Sequence, residues 1–343
     1  MTKEEEPGAP VDAARLIREV LSELGWSADP SDVAQSVRRL DFGLPAEDEF
    51  SVVCAWLGKC ELLHKLDQQQ VPIASREKFQ VPDLLARFTT QTNSVPVLIE
   101  VKSKQGNTLS FKPEYLQKLT SYAELVGMPL LIAWKFHGFW MLFEAKHLRR
   151  AKSNFNISLS TASQQNLLGM LAGDVGYKIG AGVGIHLRLR KDQLVQAEAH
   201  QDGWTEQWQV TLDDVAFSNY NGDLVREVEA DIQSLVSVWD LEDHEEHTDS
   251  HIIQRFVAGS QGMQFAHMAL VRLLHWESPN DVRPPWRSLL RKDQVVANVE
   301  SFTAALEKAY QQKFVSHIFH IRPRTIPDFL PSLGAGSNGL GTD

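Results

Sequence analysis

The segment Val81–Lys104, VPDLLARFTTQTNSVPVLIEVKSK, is the one that most limits how the chain can fold. Two apolar stretches, one ending at Phe88 and one opening at Val95, flank the polar run TTQTNS, which is the pattern of two strands joined by a turn. Val97-Leu98-Ile99 shows no alternation, so it fits a strand covered on both faces. It runs directly into Glu100-Val101-Lys102, and Pro82-Asp83 stands on the partner strand. Charged groups where strand residues should pack need partners that offset their lost hydration.

The surrounding patterns extend this hairpin into an α/β unit. EDEFSVVCAWLGKCELLHKL reads as a helix, with acidic residues in its first turn where the helix dipole favours them. Strands are expected over Phe79–Phe88 and Val95–Ser103. KPEYLQKLTSYAELVG reads as a helix, with Pro113 near its start and Gly127 at its stop. MPLLIAWKFHGFWMLFEA then forms two strands about a turn at His137-Gly138. The order helix, hairpin, helix, hairpin predicts a mixed sheet.

Residues 1–44 carry two amphipathic helical patterns, one with Ala14, Ile17, Val20, Leu21 and Leu24 on a single face and one capped by Ser31. Beyond the core at 45–150, the pattern predicts an α+β region over 151–333, of no recognised type, and a flexible tail at 334–343. Lys and Arg dominate from Leu131 to Lys191, whereas from Gln201 to Ser250 Arg226 stands alone among many carboxylates. SHIIQRFVAGSQGMQFAHMALVRLLHW and DQVVANVESFTAALEKAYQQKF read as long helices.

A formal charge of -10 over 343 residues argues against coating nucleic acid by bulk charge, but a local basic groove remains compatible with it. Cys54 and Cys60, in a helix-like apolar segment, read as small core residues of a reducing compartment. The acidic N-terminus has no apolar signal core and no run reaches membrane-span length, so a cytoplasmic protein without a membrane partner is expected.

Carboxylates on adjacent strands, Asp83 and Glu100, can hold one hard cation, and oxygen ligands suit Mg²⁺ or Mn²⁺. Glu100 and Lys102 project from the same face of their strand, while Val101 packs inward and leaves its carbonyl as a further possible ligand. Lys102 beside such an ion can orient a water and stabilise charge on phosphate, which fits metal-assisted phosphodiester hydrolysis.

These residues resemble the PD-(D/E)xK nuclease superfamily, which includes restriction endonucleases and Holliday-junction resolvases, over roughly residues 45 to 145. The resemblance implies a restriction-endonuclease-like core, with Asp83 and Glu100 binding the metal and Lys102 serving the nucleophilic water. It also implies an acidic residue on the preceding helix, Glu49 with Glu47 in reserve, and an assisting Gln117 in the following one. Tyr122 stands five residues after Gln117, a departure from the four of the RecB-like version. IEVKSK…LQKLTSYAELVGMPLLIAWKF is most similar to the archaeal junction-resolvase branch.

DNA is the expected substrate, with RNA open because the chemistry is shared, and a role in defence against foreign DNA or in repair is consistent with the resemblance. A catalytically silent module that binds nucleic acid or a partner protein is the alternative. Lys104, Lys146, Arg149, Arg150 and Lys152 are candidates for phosphate contacts beside the site, against a plain solvated helix face. The C-terminal region would supply substrate choice, a homodimer contact or a surface for a protein partner.

Other patterns are weaker. His244, His247 and His251 would share one helical face able to bind Zn²⁺, although the acidic surroundings favour a solvated linker. GAGVG at 180–184 lacks phosphate-loop spacing and reads as a Gly-rich strand. His267 and His275 read as satisfied core or boundary residues. Trp204, Trp208, Trp276 and Trp286 fill cores and boundaries more often than they stack bases.

Overall fold

A computed structural model describes residues 20–21, 46–67, 72–89, 96–200, 203–260, 262–276 and 301–330. Its centre is a five-stranded sheet of β1 (Cys60–Lys65), β2 (Leu84–Phe88), β3 (Val97–Ser103), β5 (Leu130–Phe136) and β6 (Phe139–Glu144), in the order β1-β2-β3-β5-β6. β3 and β5 run parallel and the other neighbours antiparallel, so the sheet is mixed, as the pattern predicts. Leu84 pairs with Ile99 and Leu85 with Leu98, which sets the hairpin register.

That register divides β3 between two cores. Val97, Ile99 and Val101 face a large apolar cluster with the helix over 46–57 (α1), which supplies Phe50, Val53, Cys54 and Leu57. The opposite face of the sheet, with Ile132, Trp134, Met141 and Phe143, packs on Leu116 and Leu119 of α2 (Pro113–Val126). Glu100 and Lys102 belong to this second face by alternation. Pro113 at the first position and Gly127 at φ 70°, whose N–H bonds Ala123 and Glu124 carbonyls, start and stop α2.

A small sheet covers the same face. β4 (Thr108–Phe111), β8 (Asn154–Ser158) and β7 (Arg149–Ala151) pair in the order β4-β8-β7, with Leu109, Phe111 and Ile157 in the second core. The basic stretch is therefore a short 3₁₀ turn and a strand hairpin rather than a helix face. Lys152, at φ 47°, makes the turn. This hairpin straddles residue 150, where composition placed a boundary.

Three further patterns form different elements from those expected. The 47–66 segment is helical only to 57: Gly58, at φ 95°, takes the left-handed conformation that ends a helix, and Cys60–Lys65 then pairs with β2. SHIIQRFVAGSQGMQFAHMALVRLLHW splits into β14 (His251–Ala258), β15 (Gln264–Phe265) and a helix over Ala266–Trp276, because β14 lies inside a sheet between two partners. The three histidines accordingly lie on strands, not one helical face. His244 and His247 belong to β13 (Leu241–His247), and His251 pairs across with Arg190. Each imidazole faces its own carboxylate: Glu242, Glu245 and Asp213 respectively.

The C-terminal region is α+β. β9 (Gly176–Ile179) pairs with β15 and β16 (Val315–Phe319), and a second five-stranded sheet carries a long hairpin of β10 (Gly184–His200) and β11 (Gly203–Ser218). GAGVG is a turn joining β9 to β10, with only Gly184 in a strand, rather than the Gly-rich strand expected. Tyr177, Leu235, Leu270, Phe302 and Phe314 from this region join the α1 cluster, so one apolar core is shared along the chain. Among the described residues, no helix is long and apolar enough to cross a membrane. Of the expected prefix only Val20 and Leu21 are described, both helical. Most of the TTQTNS turn, Trp286, the first part of the last expected helix and the tail lie outside the described residues.

Candidate metal-dependent active site

Asp83 sits one residue before β2, where Pro82 has no N–H to give a ladder. The Val101 N–H donates to Asp83 Oδ2 at 2.7 Å, binding the two strands at the point where their pairing stops. Glu100 is fully buried, and Lys102 Nζ donates to its Oε1. The Tyr115 hydroxyl, from the first turn of α2, donates to the same Oε1 at 2.5 Å. Glu100 Oε2, equally buried, has no hydrogen-bond partner. Buried polar atoms are nearly always satisfied, so an orphaned carboxylate oxygen points to a missing positive partner.

The electrostatics fit the same gap. Burial, and after it the neighbouring Glu100 carboxylate, raises Asp83 to about 7, with Lys102, the Val101 N–H and Lys65 working against the rise. Burial also acts against the Lys102 charge, but Glu100 and then Asp83 outweigh it and hold the ammonium protonated well above the ordinary lysine range. Lys102 is therefore a cationic donor here and not a base. Burial, then Glu100, pushes the Tyr115 hydroxyl upward, keeping it a donor.

The helix carboxylates divide differently from the expectation. Glu49 faces Lys135 Nζ at 2.5 Å through Oε2 and Trp140 Nε1 at 3.0 Å through Oε1, so both its oxygens are taken. Glu47 is the acid whose charge reaches the cluster: burial, and next Asp83, raises it above the ordinary carboxylate range, opposed by its ion pair with Lys65. Glu47 Oε2 is taken by the Lys65 ammonium, unlike the unpartnered Glu100 Oε2.

Gln117 is exposed on the outer side of α2. Two helical steps rotate it by about 200° from Tyr115, so the two cannot face the same strand. Tyr115 is the residue that sequence reasoning missed. The available signal was a tyrosine two residues after Pro113, which shares an α2 face with Leu119.

Lys104 is exposed at the exit of β3, where its carbonyl accepts from Trp134 Nε1 at 2.9 Å. Lys146, Arg149, Arg150 and Lys152 are exposed on the 3₁₀ turn and β7 hairpin that share the second core with α2. Lys146 pairs with Glu144 at 2.8 Å, and Arg149 donates to the Lys146 carbonyl at 3.0 Å. Among the described residues no carboxylate pairs with Arg149, Arg150 or Lys152.

His267, expected as a satisfied core residue, is one. Its Nδ1 faces Asp174 Oδ2 at 2.8 Å, its backbone N–H donates to Asp174 Oδ1, and its Nε2 accepts the Trp140 N–H at 3.1 Å. Since Nε2 accepts, the proton rests on Nδ1. Trp208, on β11, is half-buried beneath the Lys191 ammonium, 4.9 Å from its ring centroid.

No three His, Cys, Asp or Glu side chains converge as a ready cage among the described residues. The site offers two strand carboxylates, which is how Mg²⁺ is commonly held when it keeps several waters and takes substrate oxygens as further ligands. The donors are all hard oxygens, and the orphaned Glu100 Oε2 and raised Asp83 are what a removed divalent cation would leave. The residues fit the group.

Mixed sheet and hairpin form a restriction-endonuclease-like core, and the Asp83/Glu100/Lys102 cluster on it resembles the motif of the PD-(D/E)xK superfamily. Within it, residues 72–174 match the family described as archaeal Holliday junction resolvase (Hjc). Among solved structures the chain is similar to Hjc, a Holliday junction resolvase from the archaeal hyperthermophile Archaeoglobus fulgidus. The identity is 22%, over 29% of this chain and 77% of that one, with a TM-score of 0.25. No curated protein matches the chain.

Proposed function

We propose that the chain is a divalent-metal-dependent nuclease that hydrolyses phosphodiester bonds in DNA, with branched DNA as its leading substrate. The observation that carries this reading is the buried, unpartnered Glu100 Oε2 beside Asp83. The match of residues 72–174 to the junction-resolvase family supports the substrate class. Repair, or defence against foreign DNA, is the setting we infer.

Asp83 and Glu100 hold the cation, Mg²⁺ or Mn²⁺. The Val101 carbonyl is a further candidate ligand: N–H and C=O of a strand residue point to the same edge, and its N–H is directed at Asp83. Glu47 contributes negative charge from α1, in place of Glu49. The ion when bound acts as a Lewis acid toward phosphate and lowers the pKa of a coordinated water. Lys102, held protonated, donates to the attacking water or to a phosphate oxygen and offsets the charge that develops there. The exposed Lys104, Arg149, Arg150 and Lys152 bind the phosphodiester backbone by charge.

The test is incubation of the full chain with four-way junction, linear duplex, single-stranded DNA and RNA, in Mg²⁺, Mn²⁺ or EDTA. Cleavage of junction DNA is expected with either ion and not in EDTA, and Asp83→Ala should remove it. Binding of DNA without cleavage of any substrate would replace this reading with the silent module. Preferential cutting of RNA would move the substrate class.

A further inference from the structure

We propose that Tyr115 is a positioning residue of this site, whose hydroxyl clamps Glu100 by Oε1 and so leaves Oε2 as the oxygen presented to a divalent cation. The inference rests on the metal-dependent reading above and assigns a role that the Asp/Glu/Lys motif does not contain. Oε1 receives two donors from separate elements, the Tyr115 hydroxyl from α2 and the Lys102 ammonium from β3. Oε2 receives none. An ionised carboxylate only accepts, so two donors on one oxygen fix its orientation and send the free lone pairs of the other in a single direction.

The clamp is itself held in place. The Tyr115 ring stacks on Phe111 at 6.2 Å with an interplanar angle of 18°, and Phe111 ends β4 immediately before α2. The Lys102 ammonium stands 5.4 Å from the centroid of the Tyr115 ring. One tyrosine thereby fixes both neighbours: Glu100 through its hydroxyl and Lys102 through its ring face. The two contacts separate cleanly, because Tyr115→Phe keeps the ring, its stack on Phe111 and its contact with Lys102, and removes only the donor to Oε1.

Partners that orient a metal ligand typically change metal affinity by about 10–100-fold when removed. The experiment is Mn²⁺ binding to the full chain, followed by the electron paramagnetic resonance signal of free Mn²⁺, for wild type, Tyr115→Phe and Glu100→Gln. Thermal melts in EDTA and junction cleavage as a function of Mn²⁺ accompany it. Tyr115→Phe is expected to weaken Mn²⁺ binding by about tenfold or more, with the metal-free melting temperature close to wild type. Its cleavage should return as Mn²⁺ is raised.

If Glu100→Gln loses Mn²⁺ binding while Tyr115→Phe binds as wild type does, the clamp is overturned and the metal site stands. A Tyr115→Phe protein that melts lower but has unchanged Mn²⁺ dependence makes Tyr115 a packing residue and also overturns it. Should Glu100→Gln bind Mn²⁺ as tightly as wild type, the site reading falls and takes the clamp with it.

Discussion

Asp83 makes the metal-free protein less stable than it need be, and Asp83→Asn tests this directly. Burial, and then the Glu100 carboxylate, raises its titration from 3.8 to about 7 in the fold. The folded state therefore binds a proton between roughly pH 4 and pH 7 that the unfolded chain has already released, and stability falls as pH rises through that window. Below about pH 4 the penalty is absent, and above about pH 7 it is complete. A gap of about three pH units at about 1.4 kcal/mol each sets a ceiling of about 4 kcal/mol. Asparagine carries no charge at any pH, and its Oδ1 can still accept the Val101 N–H. At roughly 2 °C per kcal/mol, the low end of the range for chains of this size, the variant should melt up to about 8 °C above wild type at pH 8. The two should nearly coincide at pH 4. The assay is thermal unfolding of both full chains in EDTA across this range, where the titrating groups remote from Asp83 cancel in the difference. Saturating Mn²⁺ should reverse the order at pH 8, because only wild type gains the binding energy of the ion. A variant no more stable than wild type at pH 8 in EDTA, or a difference that ignores pH, refutes the argument.

Lys102→Ala should lower single-turnover junction cleavage by at least about a hundredfold with the fold intact by circular dichroism; an active variant would mean that another group serves the water. Replacing Arg149, Arg150 and Lys152 together with Ala should flatten the log–log salt dependence of DNA binding by about one to three units, and leave the cleavage rate at saturating DNA little changed. An unchanged slope would place the DNA path elsewhere. His267→Ala leaves Asp174 Oδ2 and the Trp140 N–H buried without partners, so it should cost about 3–5 kcal/mol in urea unfolding; a loss under 1 kcal/mol would show that the pair contributes little.

The central sheet was legible because its signals are local. Val97–Ile99 reads as a doubly covered strand, Pro113 and Gly127 bracket α2, and His137-Gly138 turns β5 into β6. What escaped depended on contacts distant in sequence. Cys60–Lys65 carries a helical-looking pattern, yet it becomes a strand because β2 offers it an edge and Gly58 stops the helix before it. The small sheet was invisible because β4 finds its partner β8 about 50 residues later. The acidic β13 has helix-compatible histidine spacing, and only pairing with β14 sets a period of two. At the site, the strand motif could be read from residue order, since hairpin register fixes which side chains meet. The helix contributions could not. Which of Glu47 and Glu49 reaches Asp83 depends on the rotation of α1 over the sheet, and Lys135 and Trp140 decide it by taking Glu49. The same rotation on α2 brings Tyr115 to Glu100 and turns Gln117 outward.

That dependence extends to the role of the C-terminal region, which composition alone would treat as an addition to a finished nuclease. Trp140 argues otherwise. Its indole N–H bonds Glu49 on α1, its backbone N–H bonds His267 on the helix over Ala266–Trp276, and its carbonyl accepts from Asn166 at 3.4 Å. The α1 face of the sheet packs into the same apolar cluster as Tyr177, Leu235, Phe302 and Phe314. A chain ending near Lys152 would cut the β7–β8 hairpin at its turn, remove β8 from β4, and expose that face to water. Such a truncation is expected to aggregate or to lose near-ultraviolet circular dichroism rather than yield an unselective nuclease. Control of substrate choice by the C-terminal region therefore has to be tested by surface substitutions in the full chain, such as charge reversal of Arg188 and Arg190 on β10. A soluble, cooperatively melting 1–152 fragment that binds Mn²⁺ as the full chain does would show that the shared core is dispensable.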